Sequence, residues 1–110
     1  MVGNYALGAE IEDYDPKRSQ AIRKALKRFW PFTVITTEIQ RGRKVMVAWR
    51  SDGAWLGRGG ETEIVNRLAK EVWKANKGWC RVTARIVSFN HLPCETYVRA
   101  EKDYRLLMKE

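Results

Sequence analysis

The chain has 110 residues, of which 45% are apolar and 31% charged, with a formal net charge of +8. That balance describes one folded domain spanning 1–110 with a single core, and excludes a disordered tail or a membrane-spanning chain, since no apolar run approaches bilayer length. The excess of positive charge favours an anionic partner but says nothing about fold.

Asn4–Glu12 alternates, with Tyr5, Leu7, Ala9 and Ile11 on one side and Ala6, Gly8, Glu10 and Glu12 on the other, the pattern of a half-buried strand. Asp15 before Pro16 predicts a helix start, Ala21, Ile22, Ala25, Leu26 and Phe29 recur at helical spacing, and Pro31 ends the helix. Phe32–Gln40, rich in Thr, Val and Ile, reads as a second strand. After a turn at Arg41–Gly42–Arg43, Val45, Val47 and Trp49 alternate with Met46, Ala48 and Arg50 in a third, and Ser51–Asp52–Gly53 reads as another turn. A loop at Gly57–Gly60 leads into a second helix from Thr62 to Asn76, with Gly78 placed as its stop. Cys80–Ile86 is a fourth strand, and a hairpin turn is expected at Asn90–Pro93. Beyond it Thr96–Ala100 is extended, and Glu101–Lys109 fits either a short helix or the return arm of a hairpin.

The order βαββαβ predicts an α+β fold of the ferredoxin-like split type: an antiparallel sheet with two helices on one face, plus a C-terminal strand or short helix. That fold hosts many unrelated functions, so function must be read from sites. The hairpin register keeps Cys80 and Cys94 apart, which predicts two free thiols and a reducing compartment. The N-terminal stretch MVGNYALGAE lacks the basic and apolar regions of a secretory signal, and Gly3 is misplaced for myristoylation; a cytoplasmic protein is expected.

The segment PKRSQAIRKALKRFW carries six basic residues and no acid, directly after a stretch holding Glu10, Glu12, Asp13 and Asp15. At 100° per residue, Lys17, Arg23, Lys24, Lys27 and Arg28 gather opposite Ile22. Arg23–Lys27 and Lys24–Arg28 are like-charge pairs four apart, which weakens an isolated helix. Either an external anion offsets this or the preceding acids neutralise it as local ion pairs; the two readings stand even. Arg41, Arg43 and Lys44 in the hairpin turn extend the basic face.

Of five tryptophans, Trp49 is expected in the core, Trp73 at the edge of the second helix's stripe, and Trp30, Trp55 and Trp79 with some exposure. Trp55, between Arg50 and Arg58 in RSDGAWLGRGG, suits base stacking with arginines on phosphates, or a protein hot spot. Its bland reading is a loop residue folded over an open end of the core. GRGG matches no phosphate-loop or dinucleotide motif, and Glu61 and Glu63 would repel a phosphate there, so no cofactor is expected. The outward residues of the first strand are not those of an RNA-recognition sheet, and Arg50, Arg81 and Arg85 are expected to pair with Glu10 and Glu12.

Glu10 and Glu12 lack further acidic partners, His91 with Cys94 lacks an orienting residue, and Cys80, Cys94 and His91 are too few for zinc. No enzyme and no metal site are expected. The leading expectation is a small nucleic-acid-binding domain of low sequence selectivity using Lys17, Arg23, Lys24, Lys27, Arg28, Arg41, Arg43, Lys44, Trp55 and Arg58. The alternative is a protein-interaction or inhibitor module, of the phage or plasmid accessory type, docking on an acidic partner surface, with the Glu10–Asp15 cluster favouring it slightly.

Overall fold

The computed structural model describes residues 3–88 and 91–109. Its elements are β1 (Gly3–Glu12), a 3-10 turn (Pro16–Arg18), α1 (Ser19–Phe29), β2 (Ile35–Gln40), β3 (Arg43–Trp55), α2 (Glu61–Asn76), β4 (Arg81–Ser88), β5 (His91–Arg99) and α3 (Glu101–Leu107). The strands form one antiparallel sheet in the order β2-β3-β1-β4-β5. The fold is α+β, with five strands and three helices where a four-stranded split pattern plus a C-terminal strand or short helix was expected. The extended Thr96–Ala100 stretch lies almost wholly in β5, and of the two alternatives for Glu101–Lys109 it is the short helix that forms, over Glu101–Leu107. The expected Asn90–Pro93 turn lies outside the described residues at Asn90, and β5 already begins at His91.

Periodicity places the core. Ile22 and Leu26 of α1 and Ile64, Leu68 and Val72 of α2 are buried against Leu7, Ile11, Met46, Val82 and Ile86 of the sheet. Both helices therefore cover one face, and α3 adds to that layer by setting Tyr104 edge-on to Trp73 at 5.2 Å. Asp15 caps the 3-10 turn by accepting from the Lys17 N–H at 3.0 Å. At the far end of α2 it is Lys77, not Gly78, that takes the left-handed conformation at φ 59°, while the Gly78 N–H donates to the Trp73 carbonyl at 3.2 Å.

The Ser51–Asp52–Gly53 turn does not form, because β3 continues through it. Leu7 pairs with Ser51 and Ala9 with Ala48, so Trp49 and Arg50 together oppose Gly8. This bulge inserts one residue, shifts the phase of the strand and lets pairing resume as far as Gly3–Trp55. Gly53 is then needed for close approach: a Cβ there would lie 2.7 Å from the Trp30 ring. Trp30 itself is buried at 2% exposure, with its Nε1 donating to the Ser51 carbonyl at 2.9 Å. The expectation of an exposed Trp30 is thus reversed, since the extended turn after α1 tucks the ring beneath β3.

Trp49 is corrected in the opposite sense. Met46 and Ala48 are the residues of β3 that join the core under the helices, so the Val45–Val47 side faces away from them. Trp49 continues that outer side and is 49% exposed.

Candidate nucleic-acid interface

α1 carries no acid, and its cations divide by what they touch. Arg18 donates from Nε to the Ala75 carbonyl at 2.9 Å, tying the start of α1 to the end of α2. Arg23 is also committed: its guanidinium donates to the Ile35 carbonyl and to Thr37 Oγ1, both at 2.9 Å, clamping the helix onto β2. Arg23 belongs to the fold before it belongs to any ligand. Lys24, Lys27 and Arg28 are exposed, and so is Lys17 in the preceding turn. Among the described residues none of these four has an ion pair.

Three of the four acids that precede the helix are used elsewhere. Glu10 pairs with Arg85 across the sheet at 3.3 Å, Asp13 with Arg43 at 3.2 Å, and the Asp15 carboxylate caps the turn. Glu12 stands opposite Arg81 in the sheet register. On α2, Glu63 holds Arg67 at 3.1 Å and Glu71 holds Lys74 at 3.6 Å. The local-ion-pair reading of the basic helix therefore finds no pairs, and the like-charge neighbours Lys24 and Arg28 stay uncompensated.

The β2–β3 hairpin carries further cations beside the connection from β1 to α1. Arg41 and Gly42 take positive φ of 53° and 76°, the two-residue turn that suits the twist of β2 and β3. Arg41 and Lys44 are exposed, and the Arg43–Asp13 pair sets the hairpin tip beside the connection from β1 to α1. At the other end of α1, Arg28 and Phe29 line a notch of about 280 Å³ with Trp55, Arg67 and Glu71. Trp55 is half-buried: its ring leans on Phe29 at a centroid distance of 6.0 Å, Gly57 presses on it, and its Nε1 donates to the Arg58 carbonyl at 3.3 Å. Most of that indole closes the end of the core, leaving a part exposed to the notch. Arg58 is exposed in the loop beyond it.

No family model, curated protein or solved structure matches the chain. Chemistry on the surface must therefore carry the functional reading.

No group of three or more metal-ligating side chains is found among the described residues. Cys80 is a free, buried thiol whose pKa is pushed up to about 12, first by burial and then by the Asp13 charge, so it is a poor nucleophile. Cys94 is free and exposed, and the side chain of His91 lies outside the described residues. The feature that residue reading missed is the outward pair Trp49 and Arg50. Its one visible signal was Gly8, an isolated glycine inside a strand pattern, which marks a bulge or a close approach.

Proposed function

We propose that this chain is a small nucleic-acid-binding domain that grips the phosphate backbone through Lys17, Lys24, Lys27 and Arg28, extended by Arg41 and Lys44. The carrying observation is that a helix without acids presents these cations with no ion pair among the described residues, while Glu10, Asp13 and Asp15 are engaged elsewhere. Such a face gains little from remaining unpaired and gains counterion release when it meets a polyanion. Contacts of this kind position a backbone without reading sequence. We further read β2-β3-β1-β4 with α1 and α2 as a ferredoxin-like split core to which β5 and α3 are added, and two unbridged thiols support a cytoplasmic setting.

The test is fluorescence anisotropy with labelled single-stranded DNA, duplex DNA and RNA. Wild type is compared with Lys24→Glu/Lys27→Glu/Arg28→Glu, which leaves the structural Arg23 in place. Binding at low salt that falls by about 100-fold or more in the variant supports the reading, since log affinity scales with the number of phosphates neutralised. Wild type that ignores all three polymers transfers the unpaired cations to the rival reading, an acidic protein surface.

A further inference from the structure

The face of the sheet away from α1 and α2 carries a second site, built by the bulge. Because Trp49 and Arg50 share one partner, Gly8, both side chains stand on the side away from the helices. Gly8 has no side chain to fill the space before them, and its neighbours on that face, Ala6 and Val87, are short and buried. The result is a concavity of about 230 Å³ with a floor of Ala6, Gly8, Val47 and Val87, and with Trp49, Arg50 and Arg85 on its walls.

Trp49 is exposed yet fixed. Its Nε1 donates to Thr36 Oγ1 at 2.9 Å and its backbone N–H to the Val34 carbonyl at 2.9 Å, so the ring is held by the neighbouring edge segment. An indole held this way in solvent contributes little to the core, but it loses little freedom on receiving a flat ligand. Charge is distributed unevenly around it. Arg85 is neutralised by Glu10 at 3.3 Å, whereas Arg50 has no ion pair among the described residues. Glu38, on the β2 side, accepts only the Gln40 amide among the described residues, at 3.4 Å, and retains capacity for further N–H donors.

A rigid aromatic ring over a small apolar floor, an unpaired guanidinium beside it and a carboxylate acceptor across from it suit a planar heterocycle with N–H donors on its edge and an attached anion. We propose that this concavity seats one unpaired base of a single-stranded nucleic acid, stacked on Trp49, with the adjoining phosphate on Arg50. The ligand class rests on the nucleic-acid reading of α1, but the site shares no residue with that face. A duplex is excluded from it, because a paired base exposes neither its face nor its pairing edge. Helix α1 would thus supply affinity for any polyanion, and the sheet a preference for single strands.

The probes are a labelled 12-nucleotide single strand and its duplex, bound by wild type, Trp49→Ala, Trp49→Phe, Arg50→Ala and the α1 charge-reversal variant, with thermal melts confirming the fold of each. Trp49→Ala should weaken the single strand about 10-fold or more, the range expected for one lost stack, and leave the duplex unchanged. Trp49→Phe should retain most of the affinity, and Arg50→Ala should lower the single-strand salt slope by about 0.7. Unchanged single-strand binding by Trp49→Ala, with binding lost on α1 reversal, overturns this site and leaves the α1 reading standing. Equal loss for single strand and duplex also overturns it. Single-strand binding that depends on Trp49 but survives α1 reversal sustains this site and removes the role of α1. Wild type that binds neither probe removes both.

Discussion

Replacing tryptophans whose Nε1 is closed to solvent by phenylalanine separates indoles that are satisfied from one that is not. Trp73 Nε1 donates to the Cys80 carbonyl at 2.8 Å and Trp30 Nε1 to the Ser51 carbonyl at 2.9 Å, with both rings almost fully buried. Trp79 Nε1 is equally closed to solvent and has no acceptor among the described residues. Each change to Phe leaves a void of roughly 35 Å³, which at about 24 cal/mol per Å³ costs about 1 kcal/mol. At Trp73 and Trp30 the stranded carbonyl adds about 1–3 kcal/mol, for a loss of about 2–4 kcal/mol. At Trp79 the same change deletes an N–H whose burial itself costs about 1–3 kcal/mol, which offsets the void. Trp79→Phe should therefore lie within about 1 kcal/mol of wild type or be more stable than it. Urea denaturation with an unchanged m-value reads the difference, and at about 4 °C per kcal/mol it also appears as a melting gap of roughly 4 °C or more. Equal destabilisation by Trp79→Phe and Trp73→Phe would refute the reasoning.

Gly53→Ala sets a methyl 2.7 Å from a Trp30 ring that cannot yield, so a loss of about 1–3 kcal/mol is expected by thermal melting, whereas Gly78→Ala, with open space around it, should be close to neutral. Arg23→Ala removes two guanidinium hydrogen bonds to β2 and should cost about 1–2 kcal/mol in urea, while Lys24→Ala relieves repulsion by Arg28 and should stay within about 0.5 kcal/mol of wild type. For Cys80 the folded pKa is raised from 9.0 to about 12, so the folded chain keeps a proton that the unfolded chain releases. That contribution is complete below about pH 9 and is lost as pH rises toward 12, up to roughly 4 kcal/mol at 1.36 kcal/mol per unit, and Cys80→Ala should flatten this part of the alkaline melting profile. A thiol reagent near pH 8 should find Cys94 at once and Cys80 only on unfolding; two fast thiols would contradict the burial.

Helical periodicity made α1 legible: Ile22, Ala25 and Leu26 are its buried residues, and the basic residues lie away from them. Which cations remain free was not legible, because Arg23 and Lys24 differ only in whether β2 offers a carbonyl and a hydroxyl nearby. Strand alternation misassigned Trp49 for a related reason. Val45 and Met46 are both fully buried, so alternation separates the two sides of β3 without telling which lies under the helices. The bulge opposite Gly8 then adds one residue and turns an apparent turn at Ser51–Gly53 into paired strand. Glu101–Lys109 was ambiguous because so short a segment satisfies a strand pattern and a helix pattern alike, and Asp103, accepting from the Ala100 N–H at 2.8 Å, starts it as a helix.

The most direct measurement is the salt dependence of single-strand affinity for wild type beside Lys24→Ala/Lys27→Ala/Arg28→Ala, followed by anisotropy between about 50 and 200 mM salt. Three lost phosphate contacts at about 0.7 each should reduce the slope of log affinity against log salt by about 2, with the melting temperature unchanged or slightly raised. An identical slope in the two proteins, or wild-type binding indifferent to salt, would contradict the assignment of α1 as the phosphate-gripping face.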